Sequence, residues 1–468
     1  MRTILIMLSR GIVARNILRT GVLKMLLERP DVRVVLLVPP NIPDYFRKDF
    51  DHPRVILEES EEVRYGLFHR KVFSPVYQKL VYTQTAKFFM RYGGRIPKGN
   101  KHPIGAFFGH IGASIISRLP FLKPVFRRLE FVLFPYHGFD HFFTTYKPDL
   151  VVSTIVKSKR DIAILKAAKR FGVPHISMAR SWDNLDRILI AVRPQKIIVQ
   201  NEVMRDLAEQ LHGIPRKDVF VSGFPQFDLY NDKRFMLTRQ EFLSALGLDP
   251  TRKVIFFASE GVWAPHGDRL VEEIVRTMKR GGFAEPVSLV IRPHYSDRAD
   301  DGSSRYDRFS GEPHVFVDRN QRMLKFFVDR WDASHEEMVH LMNELAHAAV
   351  LVTYATTLAI EAAIFDTPVV NIAFRFPDEP KDGPFFGMYY RSSHYGNIVA
   401  TGGVELARGM DELVRMVNDA MQHRERLRAE RRVIVDRLAF GNDGKSGERV
   451  GRFILECLDT LRFERLIA

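Results

Sequence analysis

The sequence is short of cysteine: its 468 residues contain one, Cys457. A single thiol forms no internal disulfide and no cysteine zinc site, and it fits a reducing compartment. The composition, with 46% hydrophobic and 27% charged residues, is that of a globular protein and excludes collagen, coiled coil and disorder. At about 150 residues per domain, this length predicts two or three domains.

Long apolar runs are also absent. No stretch reaches the ~18 apolar residues that a membrane-spanning helix needs, and the longest candidate, 104–122, is interrupted by His110, Arg118 and Pro120. The apolar run at 4–8 is too short for the hydrophobic part of a signal peptide. The sequence therefore predicts a cytoplasmic protein without a membrane-spanning helix.

Two nucleotide-binding motifs are missing. The turn Ser9-Arg10-Gly11 after the first predicted strand is not a Gly-x-Gly-x-x-Gly fingerprint, and no complete Gly-x-x-x-x-Gly-Lys-Ser/Thr phosphate loop occurs. These absences count against NAD-dependent enzymes and P-loop nucleotidases. No metal site is expected either, because His335 and His340 stand five residues apart and do not share a helix face. We interpret the segment 335–340 as a solvated helix start.

Acidic residues are scarce in one segment. Residues 64–147 carry 14 Lys and Arg against two acids, Glu130 and Asp140, and so hold +12 of the net charge of +14. They also contain 19 of the 53 aromatic residues, about twice the density of the whole chain. This combination favours a polyanion or an anionic membrane as partner, the latter placing the protein peripherally at the inner face of the membrane. Nucleic acid is not expected, because no recognised binding motif accompanies the charge.

What the sequence does contain is an alternation of strand and helix patterns. Apolar runs of four to six residues alternate with helical periodicity from residue 3 to 222, and a second series runs from 253 to 372. Such alternation indicates parallel sheets with helices on both faces. We predict an α/β protein with two doubly wound domains that face one cleft. The predicted parts are 1–230, with a basic helical insertion at 64–147, then 231–440, and a C-terminal helix at 441–468.

Ligands of open α/β sheets bind beyond the carboxyl ends of strands. The residues that follow the predicted strand at 349–353 are therefore candidates for binding a nucleotide donor. Thr356 and Thr357 start a predicted helix, where free N–H groups and two hydroxyls suit a phosphate or pyrophosphate. Glu361 lies one turn further along, where its carboxylate can accept hydrogen bonds from a ribose. The alternative is simple capping of the helix by the threonines beside a partly buried glutamate.

Residues with acid–base chemistry follow three other strands. Arg292 and His294 end the strand 287–292, where they can neutralise a diphosphate leaving group. Glu260 follows 254–258 and brings a carboxylate to the predicted cleft. Asp183 follows 175–178 and can act as a general base on an acceptor hydroxyl, beside Trp182, which can stack on a sugar ring. The alternative for this last pair is structural: Trp182 anchors a turn, and Asp183 caps the helix that follows.

Four segments carry motifs in a fixed order along the chain: 221–228 (VSGFPQFD), 291–294 (IRPH), 353–369 with its Thr-rich helix start, and 443–450 (DGKSGERV). In this order they resemble motifs of the GT-B glycosyltransferase superfamily, in particular its CDP-glycerol glycerophosphotransferase-like and surface-carbohydrate branch. The resemblance implies two Rossmann-like domains and a nucleotide-diphosphate donor bound without a resident cofactor or metal. The donor would contact Thr356, Thr357 and Glu361, with Arg292 and His294 at its phosphates.

One departure from the family narrows the expected reaction. The acceptor motif, of the type Ser-Trp-His-Gly in the glycerophosphotransferases, reads Ser181-Trp182-Asp183-Asn184 here. The loss of its histidine favours a sugar donor. The predicted function is therefore metal-independent transfer of a sugar from a nucleotide diphosphate to a lipid-linked or surface-glycan acceptor, with Asp183 or Glu260 as base. The alternatives are glycerophosphate transfer, a UDP-sugar 2-epimerase, for which no acidic cluster is evident in the sequence, and a non-catalytic protein that binds lipid or polyanion.

Overall fold

The computed structural model describes residues 1–92, 103–379 and 386–462, and its framework is two parallel β-sheets. The first has seven strands: β1 (Arg2–Met7), β2 (Val32–Val38), β3 (Val55–Glu59), β4 (Leu150–Ser153), β5 (His175–Met178), β6 (Lys196–Val199) and β7 (Val219–Val221). Their order is β3-β2-β1-β4-β5-β6-β7. The chain therefore reverses direction across the sheet between β1 and β4, the position at which such sheets bind ligands.

The second sheet repeats this arrangement with six strands. They are β8 (Lys253–Ala258), β9 (Val287–Arg292), β10 (Val315–Val317), β11 (Val350–Thr353), β12 (Val369–Ile372) and β13 (Glu405–Ala407), in the order β10-β9-β8-β11-β12-β13. The chain reverses direction across this sheet between β8 and β11. The central strands are runs of Val, Ile, Leu and Phe that are buried throughout, as expected for strands covered on both faces.

Helices cover the faces of both sheets. Those of the first half are α1 (Gly11–Ile17), α2 (Gly21–Glu28), α3 (Asp44–Asp49), α4 (Ser74–Gln78), α5 (Gln84–Tyr92), α6 (Pro103–Ile116), α7 (Leu122–Leu133), α8 (Asp140–Tyr146), α9 (Lys159–Phe171) and α10 (Glu202–His212). Those of the second half and the C-terminal region are α11 (Arg239–Ala245), α12 (Gly267–Lys279), α13 (His335–His347), α14 (Leu358–Ile364), α15 (Phe386–Tyr389), α16 (Gly396–Val399), α17 (Met410–Gln422), α18 (Arg428–Leu438) and α19 (Ser446–Thr460). The predicted α/β architecture with two doubly wound sheets is confirmed.

The basic segment 64–147 is helical between β3 and β4. It contains α4 to α8, preceded by a π-helical turn at His69–Phe73. Prolines at positions 75, 103 and 124 lie in the first turns of α4, α6 and α7, where a missing N–H costs no hydrogen bond. Among the described residues, no helix is long and apolar enough to cross a bilayer.

A segment of the second half reaches into the first. Residues 322–332, here called the hook, form a loop closed by a bridge between Met323 and Trp331. Its Phe326 and Phe327 are buried in the core of the first half, with ring centroids 5.2 and 5.7 Å from that of Phe46. The hook therefore joins the two hydrophobic cores.

The last helix returns to the first half. In α19, Gly451 lies so close to α2 that an added Cβ would come within 2.6 Å of Met25 side-chain atoms. Cys457, in the same helix, is buried, and burial raises the pKa of its thiol to about 12. Helix α19 thus packs on the first half although it follows the second half in sequence.

Candidate functional site

A cavity of about 300 Å³ lies between the two halves at the carboxyl ends of their strands. Its walls come from the segments that follow β1 and β5 in the first half and β8, β9 and β11 in the second. The predicted site residues Asp183, Glu260, Arg292, His294, Thr356, Thr357 and Glu361 all line it. Residues that are up to 178 positions apart in sequence thus meet around one space.

The wall of the first half carries an aromatic ring and a carboxylate. Trp182 is buried, and its indole N–H donates to Thr357 Oγ1 across the cavity at 3.4 Å. Asp183 accepts a hydrogen bond from Asn184 Nδ2 at 2.7 Å. Burial acts to raise the pKa of Asp183, but Lys157 and the other nearby cations hold it well below the usual range. Asp183 therefore stays ionised and is a weak proton acceptor.

The pKa of Glu260 is shifted in the opposite direction. Its carboxyl stands just beyond the end of β8, and its pKa is raised to about 8 by burial first and by the negative charges of Asp183 and Asp297 second. A carboxyl group with this pKa exchanges a proton near neutral pH, as a general acid or base requires. Of the two carboxylates predicted as base, Glu260 has the better-matched pKa.

His294 enters the cavity as a neutral ring. Burial, with the charge of Arg292, lowers its pKa to about 4. The backbone N–H of Ser296 donates to His294 Nδ1 at 3.2 Å, so Nδ1 carries no proton and Nε2 carries one. The Nε2–H group is therefore a hydrogen-bond donor for a ligand oxygen.

Arg292 is engaged within the protein. Its Nη1 contacts Asp318 and lies 3.1 Å from Glu344, and its Nη2 lies 2.9 Å from Glu337. Three buried carboxylates therefore surround one guanidinium, and they raise its pKa against the effect of burial. The predicted role of Arg292 at donor phosphates is thus not supported by its contacts, because its charge is already compensated.

The same cluster corrects the interpretation of His340. This ring is not solvated: it lies largely buried on α13, with Nε2 3.4 Å from Glu344 and 3.7 Å from Asp318. Donor atoms of Asp318, His340 and Glu344 lie within 4.8 Å of one another, a spacing that suits a metal ion. Arg292 Nη1, however, already lies against both carboxylates, where it supplies the positive charge that a cation would bring.

The threonines stand just ahead of α14. The helix begins at Leu358, two residues later than predicted, and Thr356 Oγ1 accepts the N–H of Leu358 at 2.9 Å. Glu361 is buried on this helix and accepts the hydroxyl of Tyr230. Burial raises the pKa of Glu361. Thr356 thus accepts one N–H group at the helix start, Thr357 makes no side-chain cap hydrogen bond in the described part of the chain, and both threonines line the cavity.

Two further arginines line the cavity and were not predicted. Arg15 lies in α1, after β1, and Arg180 lies two residues after the end of β5. The Nε of Arg180 is buried without a hydrogen-bond partner among the described residues. Their positions just beyond strand ends were the only indication of this site in the sequence, and arginine is too common on surfaces for that to suffice.

A buried hydrogen-bonded group beside Trp182 was also missed. His394 Nδ1 lies 3.1 Å from Asp186 Oδ2, and its Nε2 lies 3.0 Å from the Tyr389 hydroxyl. The His394 ring meets the Trp182 ring edge to face at 5.0 Å. Asp186 and Trp182 belong to the first half, whereas His394 and Tyr389 belong to the second. No motif marks these residues, because their link exists only in the folded chain.

No family model matches the sequence, and no curated protein matches it either. The solved structures that are similar in fold include the following three. S. aureus MnaA, solved with UDP, has 12% identity and a TM-score of 0.54 over 98% of both chains. A putative UDP-N-acetylglucosamine 2-epimerase from Listeria monocytogenes has 13% identity and a TM-score of 0.53 over 100% of this chain and 99% of its own. The UDP-GlcNAc 2-epimerase from Neisseria meningitidis, solved with UDP-GlcNAc, has 13% identity and a TM-score of 0.51 over 97% and 100%. The GT-B-like fold expected from the motifs is thereby confirmed.

Proposed function

We propose that the chain is an enzyme acting on a nucleotide-diphosphate sugar, and that it transfers the sugar to a hydroxyl of an acceptor. The observation that carries this proposal is Glu260, a carboxyl group with a pKa near 8 in a cavity between two ligand-binding sheet edges. The deprotonated form of such a group, which predominates above pH 8, is a base that can remove a hydroxyl proton as the acceptor oxygen attacks the sugar.

The donor would lie against the second half, with its diphosphate facing two arginines of the first half. Arg15 and Arg180 supply positive charge for the diphosphate, in place of the engaged Arg292. His294 donates its Nε2–H to a phosphate oxygen, and Thr356 and Thr357, which line the cavity, add polar contacts. As the glycosidic bond breaks, negative charge grows on the diphosphate, and these fixed donors stabilise it.

The acceptor would lie against the first half. Trp182 forms an apolar wall there, on which a sugar ring or another acceptor group can stack. Asp183, held ionised by Lys157, keeps a negative charge beside Glu260 and so helps to hold the Glu260 pKa up. Transfer of this kind needs no metal, so activity is expected to survive EDTA.

A second candidate is 2-epimerisation of a UDP-sugar. One observation favours it beyond the likeness in fold: Asp183, Glu260, Glu337 and Glu361 all line the cavity, an acidic cluster that was not evident in the sequence. Removal and return of the proton at carbon 2 would use such carboxylates.

A single assay separates the candidates. The purified chain is incubated in D₂O with UDP-, GDP- and CDP-activated sugars and with CDP-glycerol, each with and without a lipid and glycan extract. Release of nucleoside diphosphate that requires the extract supports sugar transfer. Deuterium at carbon 2 without extract indicates the epimerase, and CMP release from CDP-glycerol indicates glycerophosphate transfer. Absence of turnover and of thermal stabilisation with every nucleotide leaves only a non-catalytic role.

A further inference from the structure

The helical segment between β3 and β4 exposes an unusual amount of apolar surface. Eleven of the nineteen large apolar side chains that are exposed among the described residues belong to it. They are Leu67, Phe68, Val72, Ile111, Ile115, Leu119, Phe121, Val125, Leu129, Val132 and Leu133. Exposed apolar side chains concentrated in this way favour a site of interaction with another molecule or a membrane.

Helix α7 shows how this surface is built. Phe121, Val125, Leu129 and Val132 recur every three or four residues, and 60%, 47%, 37% and 61% of each side chain is exposed. They therefore form one apolar stripe along the outer face of the helix and its start. The inner face is anchored to the protein, because Arg127 donates to the carbonyl oxygens of Ile190 and His212 at 3.0 and 2.8 Å.

The π-helical turn continues this surface beside the end of α7. Phe68 is exposed and stacks on Phe134, just after α7, at 6.2 Å between ring centroids. The buried Phe73 of the same turn packs against Phe134 and Phe126 at 4.9 and 5.5 Å. The turn and α7 thus form one unit, with apolar side chains outside as well as inside.

The exposed charged side chains on and next to this unit are positive. Arg70, Lys71, Arg118 and Arg128 are exposed. Both acids of the segment are paired: Glu130 is buried with Lys166 Nζ at 2.6 Å and His69 Nε2 at 3.0 Å, and Asp140 pairs with Arg170. Exposed acids flank the segment in sequence, at Glu61, Glu62 and Asp149.

We propose that the π-helical turn and α7 form a docking surface for an anionic lipid bilayer. The apolar stripe would enter the boundary between headgroups and acyl chains, and the exposed cations would contact anionic headgroups. A bilayer fits better than a protein partner, because basic side chains flank an apolar stripe without exposed acids of their own segment. The surface belongs to the half that carries Trp182, so docking would bring this wall of the cavity toward lipid-borne molecules.

Vesicle co-sedimentation of the full chain tests the proposal. Vesicles of phosphatidylcholine with 30% phosphatidylglycerol are compared with pure phosphatidylcholine at two salt concentrations. The variant Arg70→Gln/Lys71→Gln/Arg128→Gln is expected to bind the anionic vesicles roughly 100-fold more weakly, because each cation contributes about fivefold. Val125→Ser/Val132→Ser is expected to lose about tenfold on the same vesicles.

The matched control is Leu237→Ser/Val433→Ser, which removes two exposed apolar side chains elsewhere and is expected to bind like the unaltered chain. Circular dichroism checks that all variants fold. Unchanged binding by the α7 variant, or equal binding to neutral and anionic vesicles, overturns the proposal. So does light scattering that shows a dimer of the unaltered chain and a monomer of the α7 variant, because a second copy would then cover the surface.

Discussion

At the scale of single residues, the cavity separates two carboxyl groups by their surroundings. Lys157 and Arg180 keep Asp183 ionised, whereas burial and neighbouring acids keep a proton on Glu260 up to a pH of about 8. Opposite protonation states in one site allow one group to exchange protons while the other supplies a constant charge.

The raised pKa of Glu260 has a thermodynamic cost that can be measured. Its ordinary value is 4.5 and its folded value about 8, so between these pH values the folded state holds a proton that the unfolded state has released. The free energy of unfolding therefore falls as pH rises from 4.5 to 8, with a slope from this group of up to about 1.4 kcal/mol per pH unit. Glu260→Gln removes that slope.

Urea unfolding of the unaltered chain and Glu260→Gln at pH 5, 6.5 and 8 measures this difference. The variant should gain stability relative to the unaltered chain at pH 8. Glu425→Gln, at an exposed glutamate, is the control and should track the unaltered chain at every pH. Parallel curves for Glu260→Gln and the unaltered chain would show that the pKa is not raised.

The same group predicts a pH profile of activity. If Glu260 is the base, kcat/KM rises about tenfold per pH unit below 8 and levels off above it. Asp183→Asn removes a negative charge that raises the pKa of Glu260, so the inflection should move to lower pH. Stopped assays between pH 5.5 and 9.5 measure both profiles, and an inflection that stays in place contradicts this coupling.

The contact of His394 with Asp186 predicts a loss of stability on substitution. His394→Ala leaves Asp186, which is fully buried, with only the hydroxyl of Thr85 as a side-chain partner among the described residues. We expect a loss of about 2–4 kcal/mol in the free energy of unfolding. His423→Ala, at an exposed histidine, should change it by less than about 0.5 kcal/mol, and equal losses in both variants would contradict the prediction.

At the scale of helices and strands, two motifs of the sequence meet in one contact. Asp228, from the segment 221–228, accepts the N–H groups of Ser446 and Gly447 at 2.9 and 2.7 Å. These N–H groups belong to the first turn of α19, in the segment 443–450. The carboxylate thus satisfies donors that the helix itself leaves unpaired, and a structural role accounts for this part of the resemblance.

This contact predicts an effect of changing the cap. Asp228→Ala removes both hydrogen bonds and is expected to lower the free energy of unfolding by about 1–2 kcal/mol. Asp228→Asn keeps one acceptor and should lose less. Urea unfolding compares both with Asp51→Ala, at an exposed aspartate, and an alanine variant as stable as the control would show that the cap contributes nothing.

Central strands were more predictable than edges and helix breaks. The runs at 150–153, 175–178, 253–258 and 287–292 agree with observed strands because full burial leaves a continuous apolar pattern. The edge strands β3 and β13 were not predicted: β3 ends in two glutamates, and β13 has three residues. The other two edge strands, β7 and β10, keep the apolar run Val-Phe-Val and agree with predicted strands. A strand is therefore missed where its apolar pattern is lost, and not at every edge.

Helix breaks depended on contacts from distant parts of the chain. The periodicity at 12–27 predicts one helix, but α1 ends at Ile17 and α2 begins at Gly21. Gly21 lies against Gly447 of α19, where a Cβ on Gly447 would stand 3.0 Å from the Gly21 nitrogen. The site residues predicted after strand ends do line the cavity. The contacts of Arg292 with three carboxylates could not be predicted in this way, because those carboxylates lie on α13 and just after β10, far from Arg292 in the sequence.

At the scale of the whole molecule, the hook fastens the two halves beside the cavity. Besides its two phenylalanines, Asp329 accepts the N–H of Gly11 at 2.9 Å at the start of α1. A Cβ on Gly11 would overlap the backbone oxygen of Trp331, so only glycine fits there. The N–H group of Gly11 at the start of α1 is therefore already bound by a protein carboxylate. The close approach of the hook accounts for the glycine in the turn Ser9-Arg10-Gly11, and no bound phosphate is needed to explain it.

The hook predicts how the halves unfold. The unaltered chain is expected to unfold in one calorimetric transition because its cores are joined. Phe327→Ala removes a fully buried ring from the first half, which costs about 3–5 kcal/mol, and should split the transition into two. Phe309→Ala, a buried ring within the second half, should lower the unfolding temperature and keep one transition. A single transition in Phe327→Ala would mean that other contacts join the cores.

The lone thiol of Cys457 has a practical consequence for observing motion. Because it is buried and its pKa is raised to about 12, maleimide dyes at pH 7 react with it slowly. Cysteines introduced as Arg128→Cys and Val433→Cys, one exposed position in each half, would carry a fluorophore pair with little background. Energy transfer between the dyes would then report in real time how far the two halves approach each other when a nucleotide sugar is added.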